Sequence, residues 1–361
     1  MKERVLRIFK QVPKDVDAII IMNDTTPNLD LSFFYATGLD SGLFEKCAVI
    51  LWPDGRSEVI TSSLEETSAQ GTQSEVIVFN KKAEKEQIIT DALKGVKNVG
   101  ISGSGLTYRM LQEVHKLTKA GLTDVTKAIE HARQIKDAQE LERTREACRI
   151  ASQVGDMMPE MLREGMTEFE VAAEVNYRMQ KGGASDTAFA TNASFGPNSA
   201  EPHHSTGPSK LRKGQFALID FGALYKRYCS DITRTFFIGS ATEEQKEMYK
   251  AVQEAQLAGF AAIRAGVNGK AVDAAARKII DATKFKGLMI HSLGHGLGLS
   301  VHDGGMMSPE VDLILEENMI LTVEPGVYIR GKGGVRIEDD IRVTKRGCEV
   351  LTTASRDMMV I

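Results

Sequence analysis

Short apolar runs and charged amphipathic stretches alternate through the first third of the chain. The apolar runs at 18–22, 47–52, 57–61, 76–79 and 99–102 predict strands, and the charged stretches at 81–93 and 107–119 predict helices. Strands that alternate with helices in this way are typical of an α/β domain built around a central sheet. We therefore predict such a domain over residues 1–125.

The rest of the chain has longer helical patterns. Residues 137–163 place apolar side chains at helical spacing opposite a charged face. Thr167-Glu-Phe-Glu170 has the hydroxyl and the acid of a capping box, which predicts the start of a second helix that runs to about residue 180. Another helix pair is predicted at 243–264 and 270–283, and strands follow each pair. The pattern predicts a second domain over residues 126–361, an α+β unit that occurs twice without a visible sequence repeat.

Composition narrows the classes of protein and of partner. The formal net charge of −4 gives no basic surface for nucleic acid. The first residues lack the apolar stretch of a signal peptide, and no run approaches the roughly 18 apolar residues of a membrane span. The four cysteines are far apart and form no Cys-x-x-Cys pair, which argues against a disulfide framework or a structural zinc site. We expect a soluble, cytoplasmic protein.

Histidines concentrate in one glycine-rich segment, residues 290–303. Three of the seven histidines of the chain lie there: His291, His295 and His302. The cluster indicates a metal site or a catalytic site, although any one of the three fits equally well as a core histidine satisfied by hydrogen bonds. The His-Glu-x-x-His pattern of one class of zinc peptidase is absent, so further ligands must come from elsewhere in the chain.

Two aspartates interrupt an apolar hairpin. Asp220 lies in the strand around 216–223, and Asp231 lies in the return strand around 228–237. If the turn is centred on Tyr225-Lys226, the two aspartates lie directly opposite each other and point to the same face. Carboxylates at that distance repel each other unless a cation lies between them. The alternative is that each is an ordinary turn or cap aspartate.

A second acidic hairpin lies near the end of the chain. Pairing that is symmetric about Gly331 places Glu324 opposite Glu338. The two-residue period of a strand then puts Arg336, Glu338 and Asp340 on one face. Arg336 is alternatively only a salt-bridge partner, and a slipped register would bring one of the two aspartates that follow Glu338 into its place.

Four carboxylates and one or two histidines make an oxygen-rich set of ligands. Such a set favours a pair of divalent ions such as Mn, Co, Fe or Zn over a single structural zinc. Two metals about 3.5 to 4 Å apart lower the pKa of a water molecule that bridges them and polarise a substrate carbonyl. The predicted chemistry is hydrolysis of an amide.

These residues, with their order, spacing and neighbours, resemble the five metal ligands of the pita-bread metallopeptidases. The matching residues are Asp220 in Ile-Asp-Phe-Gly-Ala, Asp231 in Ser-Asp-Ile-Thr-Arg-Thr, His295 in Ser-Leu-Gly-His-Gly-Leu-Gly, Glu324 in Thr-Val-Glu-Pro-Gly and Glu338 in Val-Arg-Ile-Glu-Asp. Within that family the chain is similar to prolidase and aminopeptidase P, on the stretch Phe-Phe-Tyr-Ala-Thr-Gly at 33–38 and the segment 298–303. The resemblance is loose up to about residue 125 and close from about 130 onward.

The resemblance implies both the fold and the metal ligands. The expected fold is a pita-bread domain, with duplicated helix–strand units around a curved antiparallel sheet, preceded by an α/β domain of the creatinase/prolidase type. Asp231 and Glu338 would bridge two metal ions, Asp220 would complete one, and His295 and Glu324 would complete the other. Glu324 would also handle the proton of the attacking water.

The resemblance implies roles for other residues as well. His203 would contact the substrate, with His204 as the alternative. His302 would steady the substrate carbonyl or the tetrahedral intermediate. The remaining residues would line the substrate site, as they do in aminopeptidase P: His291, Tyr328 and Arg336.

The implied activity is metal-dependent hydrolysis of the bond between an N-terminal residue and proline. Manganese or cobalt is expected, with zinc or iron as alternatives, and so is a homodimer that acts on proline-containing di- or oligopeptides. Human-type prolidases use an arginine between the histidine ligand and the first glutamate ligand to hold a dipeptide's carboxylate, but no arginine or lysine lies between His295 and Glu324. The segments Gly-Gly-Val-Arg-Ile-Glu-Asp and His-Ser-Leu-Gly-His nevertheless resemble archaeal and bacterial prolidases, so dipeptidase and aminopeptidase both stay open. So do a relative that does not need proline and a non-catalytic peptide-binding or scaffold protein.

Overall fold

A computed structural model describes all residues of the chain, 1–361. The chain divides into two compact units, Met1–Arg133 and Gln134–Ile361. No helix in either unit combines the length and the apolar character that crossing a lipid bilayer requires.

The first unit contains a mixed six-stranded sheet. Its elements in chain order are α1 (Lys2–Phe9), β1 (Ala18–Met22), α2 (Leu31–Thr37), β2 (Ala48–Leu51), β3 (Ser57–Ser62), α3 (Glu66–Ala69), β4 (Glu75–Phe79), α4 (Lys82–Ala92), β5 (Asn98–Ile101), α5 (Tyr108–Leu117), β6 (Gly121–Asp124) and α6 (Thr126–Gln134). The strands lie in the order β4-β3-β2-β1-β5-β6. The β1–β2 and β2–β3 pairs are antiparallel, whereas the β3–β4, β1–β5 and β5–β6 pairs are parallel.

The predicted α/β organisation of this unit is confirmed, although four of its helices were not predicted: α1, α2, α3 and α6. Six of the seven residues of α2 are buried, so the helix has no polar face and no amphipathic pattern to reveal it. Its ends have clear local causes. The Asp30 side chain accepts a hydrogen bond from the Ser32 N–H at the start, and Gly38 takes a left-handed conformation at the end.

The second unit contains four long helices and several short antiparallel sheets. Its elements are α7 (Ala138–Met161), α8 (Glu168–Lys181), β7 (Asp186–Thr187), β8 (Asn192–Phe195), a 3-10 helix (Gly196–Ala200), β9 (Phe216–Phe221), β10 (Ala223–Tyr225), β11 (Tyr228–Cys229), β12 (Ile232–Phe237), α9 (Glu243–Ala262), α10 (Gly269–Asp281), β13 (Gly294–His295), β14 (Met306–Met307), β15 (Ile320–Val323), β16 (Gly326–Ile329), β17 (Gly333–Arg336), β18 (Asp339–Val343) and β19 (Cys348–Val350).

Each helix pair of the second unit covers its own set of strands. Apolar residues of α7 and α8 share one buried core with those of β8, β9 and β12. Residues of α9 and α10 share another core with β15, β16, β17 and β18. The prediction of a helix–strand unit that occurs twice is therefore confirmed. Three of the four helices start with a capping box, and the paired residues are Asp137 with Glu140, Thr167 with Glu170, and Thr242 with Gln245.

The hairpin that carries the two aspartates turns at Lys226 and Arg227. Both residues have positive φ angles, 46° and 70°, as a two-residue hairpin turn of type I′ requires. The predicted turn centre, one residue earlier, is wrong, and Asp220 pairs with Thr233 rather than with Asp231. Because the error shifts the partner by two residues, and strand side chains repeat every two residues, both aspartates still point to one side and line one cavity.

The prediction that pairing is symmetric about Gly331 is confirmed. Gly331 has a φ of 79°, and the ladder on each side of Glu324 and Glu338 keeps the same register. The flanking pairs are Gly326 with Arg336 and Val323 with Asp339. Glu324 and Glu338 therefore occupy facing positions in the gap between the two ladders.

Candidate metal centre

Most of the predicted site residues line one cavity of about 440 Å³ in the second unit. Nine of the ten line it: His203, Asp220, Asp231, His291, His295, His302, Glu324, Arg336 and Glu338. The tenth, Tyr328, is buried and contacts two of the nine through its hydroxyl. Residues that are up to 135 positions apart in the sequence, from His203 to Glu338, thus share one site.

Acidic side chains and one histidine converge at the base of this cavity. Ligand atoms of Asp231, His295 and Glu338 all lie within 4.8 Å of one another. The His295 Nε2 atom is 3.7 Å from Asp231 Oδ2 and 3.5 Å from Glu324 Oε1. Asp231 and Glu338 are only 4% and 2% exposed, so water cannot screen their charges effectively.

Close backbone packing fixes the position of His295. Gly294 and Gly296 flank it, and a Cβ atom on either glycine would lie 2.0 Å or less from a backbone oxygen of Thr322 or Gly304. The His295 N–H donates to the Thr322 Oγ1 at 3.0 Å. The Gly-His-Gly motif is therefore a packing requirement: only glycine lets the strands approach closely enough to bring the imidazole to the carboxylates.

The His295 imidazole is oriented as a ligand. Burial, and then the neighbouring His302, lower the pKa of His295 to about 4, so the ring is neutral at pH 7. Its Nδ1 lies 3.3 Å from the Gly296 carbonyl oxygen and donates a hydrogen bond to it. The Nε2 lone pair is then directed at the carboxylates, which is the arrangement of a metal-binding histidine.

The carboxyl groups repel one another in the buried site. Burial raises the pKa of Asp231 and Glu338 well above the usual range, and the neighbouring carboxylates raise both further. Burial also raises the pKa of Glu324 to about 8. The Oδ1 atoms of Asp220 and Asp231 are buried without a hydrogen-bond partner. Divalent cations would neutralise these charges and satisfy these oxygens, so this set of donors fits such ions.

The Arg336 guanidinium organises one wall of the cavity. It donates to Thr233 Oγ1 at 3.0 Å, to the Tyr328 hydroxyl at 3.0 Å and to Asp220 Oδ2 at 2.5 Å. Thr233 in turn donates to Glu338 Oε2 at 2.6 Å. Arg336 thus orients two acidic side chains of the site, one directly and one through Thr233.

Comparison with known proteins identifies the family. Residues 4–135 match the creatinase/prolidase N-terminal domain, and residues 142–345 match metallopeptidase family M24. The chain belongs to metallopeptidase family M24.

Similar proteins match along the whole chain. A Xaa-Pro dipeptidase from Pyrococcus horikoshii is 36% identical over 99% of both chains. Among solved structures, a Xaa-Pro dipeptidase from Bacillus anthracis is 32% identical with a TM-score of 0.92 and covers 99% of both chains. An X-Pro aminopeptidase from Thermotoga maritima is 32% identical with a TM-score of 0.90, over 96% of this chain and 98% of that one. The expected family, fold and enzyme class are thereby confirmed.

The histidines at the mouth of the M24 cavity differ in their contacts. The His302 ring lies against His295, with 4.1 Å between ring centroids, and its side chain is exposed. His203 is also exposed at the cavity, whereas His204 Nε2 donates to Glu168 Oε2 at 3.0 Å. The contact with Glu168 favours His203 over His204 as the residue that reaches a ligand.

His291 is held in one orientation by two hydrogen bonds. Its Nδ1 donates to the Ser292 carbonyl oxygen at 2.8 Å, and its Nε2 accepts from the Tyr328 hydroxyl at 2.9 Å. Burial, and then the Arg336 charge, lower the pKa of His291 to about 4. A neutral ring with a fixed tautomer follows, since the Tyr328 hydroxyl also accepts from Arg336 and must donate its own proton to His291.

Several supporting residues of the site were not predicted. Thr233 links Arg336 to Glu338, and Asp340 Oδ2 accepts from the Asp231 N–H at 2.8 Å. Glu168 contacts the segment that carries His203 and His204. The sequence gives no signal for these supporting contacts. Thr233, Asp340 and Glu168 look like ordinary polar residues, because their partners lie far away in the chain.

Proposed function

We propose that this chain is a peptidase that uses two divalent metal ions to cleave the bond between an N-terminal residue and a following proline. The observation that carries the proposal is the convergence of Asp231, Glu338, Glu324 and neutral His295, with Asp220 on the adjoining wall. The relatives described as Xaa-Pro dipeptidase and X-Pro aminopeptidase support the choice of bond.

The proposed ligands divide between the two ions. Asp231 and Glu338 would help to hold both ions, Asp220 would complete the set for one, and His295 and Glu324 would complete the set for the other. Manganese or cobalt is proposed, with zinc or iron as alternatives, because oxygen-rich ligands accept all of these ions. When bound, such ions lower the pKa of a water molecule and polarise the scissile carbonyl.

The side chains of the cavity supply the remaining steps. A Glu324 carboxylate oxygen accepts the proton of the attacking water and returns it to the proline nitrogen as the peptide bond breaks. The His302 ring donates a hydrogen bond where negative charge develops on the carbonyl oxygen. His203 contacts the bound peptide from the exposed side of the cavity. His291, Tyr328 and Arg336 keep this surface rigid through their mutual hydrogen bonds.

The length of the peptide substrate depends on what receives its C-terminal carboxylate. Arg336 is 3% exposed, and its donors are occupied by Asp220, Tyr328 and Thr233. Those contacts disfavour Arg336 as the anchor of a dipeptide's carboxylate, so a dipeptidase would need another residue to receive that group. We propose a Xaa-Pro aminopeptidase as the first choice and a Xaa-Pro dipeptidase as the second.

The test is a hydrolysis assay of the purified protein with Mn²⁺ or Co²⁺. A Xaa-Pro dipeptide, a Xaa-Pro-Xaa tripeptide and a matched tripeptide with alanine in place of proline are offered, each with and without a chelator. We expect metal-dependent cleavage of both proline peptides, with the tripeptide preferred. Exclusive cleavage of the dipeptide would identify a dipeptidase, and equal cleavage of the alanine peptide would remove the requirement for proline. No metal-dependent cleavage of any peptide would contradict the proposal and favour a peptide-binding protein.

We further propose that the protein acts in the cytoplasm as a homodimer. The proposal rests on the composition and on the resemblance to dimeric pita-bread peptidases. Light scattering of the purified protein tests the dimer directly, because a monomer and a dimer of this chain differ twofold in mass.

Replacing His302 with alanine is expected to lower kcat by roughly 10² to 10³, the usual cost of one transition-state hydrogen-bond donor. Bound metal should stay at its wild-type level, since His302 is not among the proposed ligands. Steady-state kinetics and metal analysis of the same preparation measure the two quantities. His115→Ala, at an exposed histidine of α5, serves as the control and should match the wild type. Loss of metal from His302→Ala would make His302 a ligand instead.

A further inference from the structure

We infer that Glu168 is a positioning residue, whose buried carboxylate fixes the loop that carries His203 to the cavity. The loop is residues 201–209, which join the 3-10 helix to the segment before β9. Glu168 does not line the cavity, so it acts through this loop rather than on the substrate. The expected effect of Glu168 on catalysis rests on the proposed function. Its expected effect on the loop rests on the hydrogen bonds alone.

Four donors converge on the Glu168 carboxylate. Oε1 accepts from the Phe195 N–H at 2.9 Å and from Asn198 Nδ2 at 2.8 Å. Oε2 accepts from the Gly207 N–H at 2.9 Å and from His204 Nε2 at 3.0 Å. These donors belong to the end of β8, the 3-10 helix and the loop, so one side chain of α8 ties three separate segments together.

Burial makes these hydrogen bonds consequential. The Glu168 side chain is 0% exposed, and its one ion-pair partner is His204 rather than a lysine or an arginine. A buried carboxylate is stable only when its lone pairs are satisfied, and here all four hydrogen bonds come from groups whose positions they fix. If one segment moved away, an acceptor would be left unsatisfied inside the protein, which opposes movement of any of the three.

Other hydrogen bonds hold the two residues on either side of His203, and these fix the backbone position of His203. The Asn192 side chain donates to the Pro202 carbonyl oxygen at 3.2 Å, and the His204 N–H donates to the Glu201 carbonyl oxygen at 3.0 Å. His203 therefore stands between one residue held by Asn192 and one held by Glu168. Its own side chain is exposed at the cavity and is positioned only through this backbone.

The variant that tests the inference is Glu168→Gln. Glutamine keeps the shape of glutamate and one acceptor oxygen, but its amide group would face either the Gly207 N–H or the Phe195 N–H, so two donors would oppose each other in either orientation. The matched control is Glu170→Gln, two residues along the same helix turn. Glu170 is exposed and accepts only from Thr167 in the capping box, a role that glutamine also fills.

The first measurement is hydrogen exchange, which does not depend on activity. In Glu168→Gln the Gly207 and Phe195 N–H groups should exchange at least about tenfold faster than in the wild type, because local opening becomes easier. Glu170→Gln should match the wild type at both groups. Equal exchange in all three proteins would overturn the inference. This result also stands if the wild type cleaves no peptide, in which case only the proposed function fails.

The second measurement is a double-mutant cycle on kcat/KM for the Xaa-Pro-Xaa tripeptide. Glu168→Gln should lower kcat/KM about 10-fold to 10²-fold with unchanged metal content, the scale of a displaced substrate contact. In a His203→Ala background the same substitution should cause no further loss, because the residue through which it acts is gone. A loss of the same size in both backgrounds would show that Glu168 acts as general support of the fold and would overturn the inference.

A second pair of variants covers the case in which Glu168→Gln does not fold. His204→Leu removes one donor to Glu168, whereas His204→Gln keeps an N–H at about the same place. We expect His204→Leu to lower kcat/KM more than His204→Gln and to speed Gly207 exchange. Equal values in the two variants would contradict the role assigned to the Glu168 contact.

Discussion

Replacing Asp231 or Glu338 with alanine is expected to abolish metal-dependent hydrolysis and to remove one or both bound cations. Each carboxylate is proposed to contact both ions, so its loss weakens both sets of ligands at once. We expect kcat/KM to fall by at least about 10³-fold, since the ions supply both the nucleophile and the polarisation of the carbonyl. Metal analysis after dialysis and the tripeptide assay measure the two effects.

Stability measurements separate loss of metal from loss of fold. Burial raises the pKa of both carboxyl groups, which means that keeping them ionised costs folding free energy in the metal-free protein. The metal-free alanine variants should therefore unfold at a temperature no lower than the metal-free wild type. Glu310→Ala, at an exposed acid outside the cavity, is the matched control and should keep metal and activity. Full metal content with full turnover in either site variant would refute the assignment.

Replacing Arg234 with methionine is expected to destabilise the second unit by about 3 to 5 kcal/mol, the usual cost of removing one partner of a buried ion pair. Arg234 is 2% exposed, and its guanidinium donates to Asp339 Oδ1 at 2.7 Å. It also donates to four backbone carbonyl oxygens, those of Thr233, Glu338, Ala354 and Ser355. Methionine fills the space but leaves these acceptors unsatisfied.

Arg234 also contacts the backbone of a residue in the candidate metal centre, so its loss should disturb that site. Its guanidinium donates a hydrogen bond to the carbonyl oxygen of Glu338 and so holds the backbone of a proposed metal ligand in place. Arg145→Met is the matched control, because Arg145 pairs with Glu349 at the surface and is 43% exposed. That pair should contribute no more than about 1 kcal/mol. Denaturant unfolding followed by far-ultraviolet circular dichroism compares the two, and equal midpoints would contradict the prediction.

The sequence by itself predicted most elements of the second unit and the residues of the candidate site. Helix periods, capping residues and apolar runs are local signals, and the helices of the second unit begin where those signals lie. The hairpin around Gly331 was predicted in register because a glycine-rich turn marks it in the sequence, and Gly331 has the positive φ that favours glycine. The histidine in the glycine-rich segment and the four acids predicted the candidate metal centre, because carboxylates within apolar strands are costly without a cation.

Only the tertiary structure decided the register of the first hairpin. Its turn is formed by Lys226 and Arg227, which adopt positive φ angles that lysine and arginine rarely take, so nothing in the sequence marks it. The error left Asp220 and Asp231 on one side because it was an even number of residues, and the period of a strand is two.

Only the tertiary structure also revealed the residues that support the site. Glu168 meets its donors 27 to 39 positions away, and Arg234 meets the Glu338 carbonyl and Asp339 more than 100 positions away. In the sequence each is a charged residue among others, in a helix start or an alternating strand, where exposure to solvent is the usual outcome. The physical reason is that local patterns encode which face of an element is apolar. Whether a charge is buried depends on which distant donors and acceptors the fold brings to it.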